Sequence, residues 1–80
     1  MDQQVTREPT FGERAVGLTF NPGGSASVHL LKSRAAAFID EANKLRHETD
    51  DPEVARMCNI AITEAQSAQM WAVKAATWRG

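Results

Sequence analysis

The sequence predicts an all-α fold: an antiparallel two-helix hairpin with a short irregular or helical N-terminal segment, assembled into a helical oligomer. Three observations lead there. Apolar residues recur at spacings of three and four over two long stretches, the pattern of helices with a buried side. A short polar connection, His47-Glu-Thr-Asp-Asp, separates the stretches and turns the chain back antiparallel. The third is size. A chain of 80 residues with the single cysteine Cys58 has no internal disulfide, so it needs a metal or a partner subunit to be robust. His29, His47 and Cys58 lack the short ligand spacings of a zinc site, which leaves oligomerisation. The chain reads as one domain, with residues 1–25 as N-terminal segment and glycine turn and 26–80 as hairpin.

In the N-terminal segment Pro9, Gly12, Gly17, Pro22, Gly23 and Gly24 interrupt any long periodic element. A short helix from Phe11 to Val16 fits between them, with Thr10 as its N-cap. Gly17-Leu-Thr-Phe-Asn-Pro-Gly-Gly then reads as an ordered turn. The first long helix runs from about Ser27 to His47, capped by Ser25 or Ser27. Val28, Leu31, Ala35, Phe38, Ala42 and Leu45 form its apolar stripe and Ile39 broadens it, while Asp40 and Glu41 read as a solvated face.

The last helix has the clearest start signal in the sequence. Asp51 suits the N-cap, Pro52 the first helical position, and Glu53 the positive end of the helix dipole. It is expected to run to about Trp78. Val54, Met57, Ala61, Ala68, Trp71 and Ala75 follow a heptad-like stripe. Ile60, Ile62, Ala65, Met70, Ala72, Val73 and Ala76 occupy much of the remaining circumference. A helix apolar on several sides is covered from several directions, and a hairpin partner covers only one of them. Copies of the last helix are therefore expected to pack together.

Composition narrows the function. Nine Lys and Arg against ten Asp and Glu leave no basic surface for long nucleic acid, although a few local cations can hold a small anion. No apolar run approaches the roughly 20 residues that span a bilayer, and the first residues carry no signal-peptide stretch. A single cysteine fits a reducing compartment. These features point to the cytoplasm, with no membrane partner. Catalysis has little support. Asp40 with Glu41 and Asp50 with Asp51 are adjacent pairs, not carboxylates opposed across a cleft. Asn-Pro-Gly-Gly lacks the Lys-Ser or Lys-Thr ending of a P-loop. No catalytic residue, metal or cofactor is expected.

Two groups of residues suit ligand binding. On the last helix Thr63, Ser67, Met70, Lys74 and Thr77 follow one another at helical spacing, placing hydroxyls and one ammonium beside an alanine-rich surface. Lys74 either reaches water, pairs with Glu64 of another subunit, or meets an anionic ligand. The second group is Phe20, Asn21, Gly23, Gly24, Ser25 and Lys32. Glycine-rich backbone ahead of a helix can present N–H groups to a phosphate, and Phe20 offers a face for a base. The plainer reading is that Phe20 packs into the hairpin and the glycines only turn the chain. Trp71 and Trp78 read as core or interface anchors.

Taken in order, Phe20-Asn-Pro-Gly-Gly, Lys32, Lys44-Leu45-Arg46, Arg56, Ile60-Ala-Ile-Thr-Glu-Ala and Met70-Trp-Ala-Val-Lys-Ala-Ala-Thr77 resemble a known family. This is the group of small phage anti-defence sponges that share a helical-hairpin domain: the second anti-CBASS protein and the first Thoeris anti-defence protein. The resemblance spans about residues 18 to 79 and is most specific from Met70 to Thr77. It implies sequestration, without cleavage, of cyclic di- or trinucleotides or cyclic ADP-ribose isomers in an infected bacterial cell. It also implies a homo-oligomer, typically a hexamer, with pockets between subunits. By the resemblance, Lys32 and Phe20 serve a cyclic dinucleotide pocket, with Phe11 a rival for the stacking role. Lys74 and Thr77 serve a cyclic trinucleotide pocket, where relatives often have arginine. Arg56 either adds a phosphate contact or is an ordinary surface residue. The alternative function is a protein-interaction module that binds a host or phage protein through the apolar last helix.

Overall fold

The computed structural model describes residues 7–80, and the part of the N-terminal reading that concerns residues 1–6 lies outside them. Among the described residues there are three helices and no strand: α1 (Phe11–Val16), α2 (Ala26–Glu48) and α3 (Pro52–Ala76). α2 and α3 form the antiparallel hairpin, and α1 packs mainly on α2. No helix among these residues is long and apolar enough to cross a membrane.

α1 is short but doubly closed. Thr10 Oγ1 accepts from the Glu13 N–H at 3.0 Å while Glu13 Oε1 accepts from the Thr10 N–H at 3.0 Å, a reciprocal capping box. The Arg7 guanidinium forks onto the same carboxylate at 2.9 and 2.8 Å. This arrangement holds the Glu13 carboxyl at about 2, first through the Arg7 hydrogen bonds and then through the Thr10 N–H. At the other end Gly17 adopts the left-handed conformation and the Leu18 N–H donates to the Glu13 carbonyl.

Docking of α1 depends on a missing side chain. A Cβ on Gly12 would run into the Ala36 carbonyl oxygen, so only glycine lets the two backbones approach this closely. The Gly12 N–H, one of the unpaired donors of the helix start, donates to Asp40 Oδ1 at 2.7 Å. Asp40 is thus not part of a solvated face. It holds the positive end of α1. Across the hairpin, Gln66 Nε2 donates to the Ala15 carbonyl at 3.2 Å. At the entry of α1, the Arg46 guanidinium lies 5.1 Å from the Phe11 ring centroid and donates to Asn59 Oδ1 at 2.6 Å, so one side chain ties all three helices.

The core is Val16, Ala36, Ile39 and Ile62, with Ile39 at 0% exposure. The buried side of α2 is Val28, Lys32, Ala36 and Ile39, rotated from the expected stripe, on which Phe38 and Leu45 prove exposed. On α3 the buried residues are Cys58, Ile62 and Gln69, while Met57 and Trp71 are exposed. The reason lies in α1, which covers one side of the hairpin and draws Ala36 and Asp40 toward itself. Residues two apart on a helix point about 200° apart, so Phe38 faces the opposite side. There Leu31, Ala35 and Phe38 of α2 and Ala61, Ala68 and Ala72 of α3 line an open apolar groove of about 460 Å³.

α2 begins at Ala26 on a Ser25 cap, whose Oγ accepts from the Val28 N–H. α3 stops at Ala76, short of the expected Trp78. Thr77 ends it by donating its hydroxyl to the Val73 carbonyl at 2.9 Å, leaving Trp78, Arg79 and Gly80 beyond the helix.

Candidate functional site

The glycine turn is braced by Asn21. Its side-chain amide donates to the Ser25 carbonyl at 2.9 Å and its Oδ1 accepts from the Ser25 N–H at 3.2 Å. The Gly24 N–H donates to the Asn21 carbonyl at 3.0 Å, with Gly24 at φ 63°, where a side chain would strain the backbone. The Gly24 and Ser25 N–H groups, among the donors expected to greet a phosphate, are therefore committed within the chain. Asn21, Gly24 and Ser25 shape the turn, and the phosphate-cradling role read for the Gly24 N–H is corrected accordingly.

Lys32 sits beneath this turn. It is a buried lysine, at 5% exposure, and its ammonium donates to the carbonyls of Gly17 at 2.9 Å and Phe20 at 2.6 Å. Burying an ammonium is tolerable because these carbonyl dipoles replace water. The Phe20 ring lies above, with the ammonium 5.4 Å from its centroid and the residue 72% exposed. Phe20 thus does not pack into the hairpin, and it, not Phe11, is the aromatic beside Lys32. Phe11 lies against Arg46.

α3 completes the enclosure. Phe20, Asn21, Gly23 and Lys32 share a concavity of about 340 Å³ with Val73, Thr77 and Arg79. Thr77 therefore joins the glycine-turn group, not the Lys74 group in which the spacing placed it. Arg79 was not foreseen. As a cation beyond the end of a helix it had no periodic neighbour to mark it, and only the return of α3 alongside α2 brings it to the turn.

Lys74 belongs elsewhere. With Ser67, Met70 and Trp71 it lines a separate concavity of about 230 Å³, so Ser67, Met70 and Lys74 do share a face as their spacing predicts. Its ammonium lies 6.0 Å from the Trp71 ring centroid and 5.7 Å from that of Trp78. Both tryptophans are exposed, so within this chain they anchor no core. Arg56 is remote from both groups. It bonds the Glu53 carboxylate at 3.0 and 2.6 Å, one turn away on α3, and lies about 27 Å along the axis from Lys74 at ~1.5 Å per residue. Thr63 accompanies Arg56, lining a third concavity with Asn59, Ile60 and Glu64.

Chemically, the turn concavity offers one buried ammonium with a spare proton, one guanidinium and an exposed aromatic face. Among the described residues no carboxylate, histidine or cysteine lines it. No group of three or more His, Cys, Asp or Glu among the described residues is placed to hold a metal ion. Such a lining suits an anion carrying an aromatic group. A family model described as Acb2/Tad1, hairpin domain, matches residues 13–77. Neither a curated protein nor a solved structure matches the chain.

Proposed function

The chain belongs to the Acb2/Tad1 hairpin-domain family, the anti-CBASS and anti-Thoeris sponges, and from that premise we propose that it captures cyclic di- or trinucleotide messengers, or cyclic ADP-ribose isomers, and holds them uncleaved. The observation that carries this reading is the concavity where Lys32, Phe20, Thr77 and Arg79 meet. Lysine has three N–H donors, and two of those on Lys32 are taken by backbone carbonyls, which leaves one for a phosphate oxygen. Arg79 adds a planar fork suited to the same group. Phe20 supplies a stacking face for a base. At about 340 Å³ the concavity lies within the range of small-molecule sites. The product of capture is an occupied protein and an unactivated defence effector, in the cytoplasm of the infected cell.

Oligomerisation belongs to the proposal. Exposed Phe38, Leu45, Ile60 and Met70, together with the open groove, are more apolar surface than a soluble monomer comfortably carries. Copies packed on these faces would cover it and repeat each binding group by symmetry, with a hexamer the expected size. Low-micromolar capture requires about 8 kcal/mol, within reach of several charge-assisted hydrogen bonds and stacked bases.

The test is recovery. The protein is incubated with a panel of cyclic di- and trinucleotides and cyclic ADP-ribose isomers, separated from free ligand and denatured. Intact ligand in the released fraction is expected, and cleaved ligand would make the protein an enzyme. The open apolar groove also favours a second reading, a module that binds a host or phage protein. A chain that sediments as a monomer and retains no messenger would favour that reading over the first.

A further inference from the structure

Gln69 is a glutamine that α3 turns inward. It is 8% exposed, yet among the described residues its amide makes no hydrogen bond, whereas Gln66, one turn earlier, donates to the Ala15 carbonyl. No fully enclosed side-chain nitrogen or oxygen among these residues lacks a partner, so the Gln69 amide is not sealed in the core. It opens into the apolar groove that it lines between α2 and α3. A leucine there would complete an apolar floor at no polar cost, so a glutamine calls for something that brings both a donor and an acceptor. The groove around it is lopsided. Its α2 wall carries the large side chains Leu31 and Phe38, and its α3 wall is a seam of alanines, Ala61, Ala65, Ala68 and Ala72, at helical spacings of four and three.

We infer that the occupant of this groove is the same groove of a second copy, and that Gln69 fixes the register of the pair by bonding to its own counterpart across a two-fold axis. The inference rests on the reading that copies of the chain assemble, and it names the joint. A primary amide is self-complementary, since its N–H donates and its carbonyl accepts, so two of them related by two-fold symmetry pair in both directions. A two-fold axis running along the groove also lays the large wall of each copy over the small wall of the other. By distance from the hairpin turn, Phe38 then comes over Ala61 and Ala65, and Leu31 over Ala68 and Ala72. The product is four helices around one core, with two glutamines as its polar pair. A buried polar pair of this kind lowers stability but excludes other registers, because every shifted alignment leaves both amides unpaired. An unrelated apolar helix would fill the groove and leave the Gln69 amide without a partner.

The full chain carries the test. Gln69→Glu and Gln69→Lys each place like charges on the axis and are expected to weaken association about a hundredfold or more in sedimentation, while an equimolar mixture of the two restores the wild-type species. A second measurement needs no buried charge. Gln69→Cys is made in a Cys58→Ala background, which removes the one native cysteine. Mild oxidation is expected to link two copies of it covalently, whereas Gln66→Cys in the same background, on the side that meets α1, stays unlinked. A wild-type chain that assembles while Gln69→Cys fails to cross-link overturns the pairing and leaves assembly through another face standing. Charge variants that sediment as the wild type does overturn it too. A wild type that stays monomeric at every concentration removes the assembly reading and this pairing with it, and leaves the groove to another protein.

Discussion

Two of the ammonium protons of Lys32 are committed to backbone carbonyls of a segment that comes 12 and 15 residues earlier in the chain. The lysine is therefore a fastener for the turn as well as a candidate phosphate contact, and its replacement separates the two roles. Lys32→Met keeps the stem and loses the bonds, so stability should fall by about 2 kcal/mol and the Tm by roughly 10 °C in a thermal melt. Phe20→Ala exposes no new core and should leave the Tm nearly unchanged while weakening messenger binding in calorimetry. Glu13 makes a pH prediction. Its folded-state pKa, about 2, lies below the ordinary 4.5, so its contribution is fully present above about 4.5 and lost as pH falls through about 2. The Glu13 carboxyl followed by NMR should titrate near that lower value, and Arg7→Ala should return it toward 4.5. The importance of Lys32 was legible from its type and place near a helix start. Its burial was not, because periodicity counts every lysine as solvent-facing and the carbonyls that receive it arrive from outside the helix.

At the scale of elements, the start of α3 was readable from Asp51, Pro52 and Glu53, since caps are local chemistry. α1 was readable for the same reason, through Thr10. The rotation of α2 was not. Its buried side is chosen by where α1 docks, and that contact joins Gly12 to Asp40 across 28 residues. The dock is steric as well as electrostatic, so Gly12→Ala should force α1 away from the Ala36 carbonyl at a cost of about 1–3 kcal/mol. Hydrogen exchange should then rise in Phe11–Val16 before it rises in the hairpin. Asp40→Asn keeps an acceptor for the Gly12 N–H and should be the milder change. Thr77, grouped with Lys74 by spacing, borders the turn concavity instead. Its spacing of four from Val73 keeps it on the Val73 side of α3, which faces the turn.

At the scale of the whole molecule, α1 covers one side of the hairpin and nothing among the described residues covers the other. Phe38 stands at 56% exposure on that open side, beside an alanine-lined groove. Phe38→Asp should therefore shift the sedimenting species toward monomer, and the wild-type Tm should climb with protein concentration. An unchanged sedimentation profile would remove the groove from the assembly. The three residues after α3 have a further consequence. Trp78 stands beside Lys74, whereas its neighbour Arg79 borders the turn concavity, so one peptide bond separates the surroundings of two concavities proposed to take ligand. Ligand in either site would immobilise the same tail and prepay part of the ordering entropy of the other. The two affinities should then be linked, each messenger raising the other's by one common factor, whichever is added first.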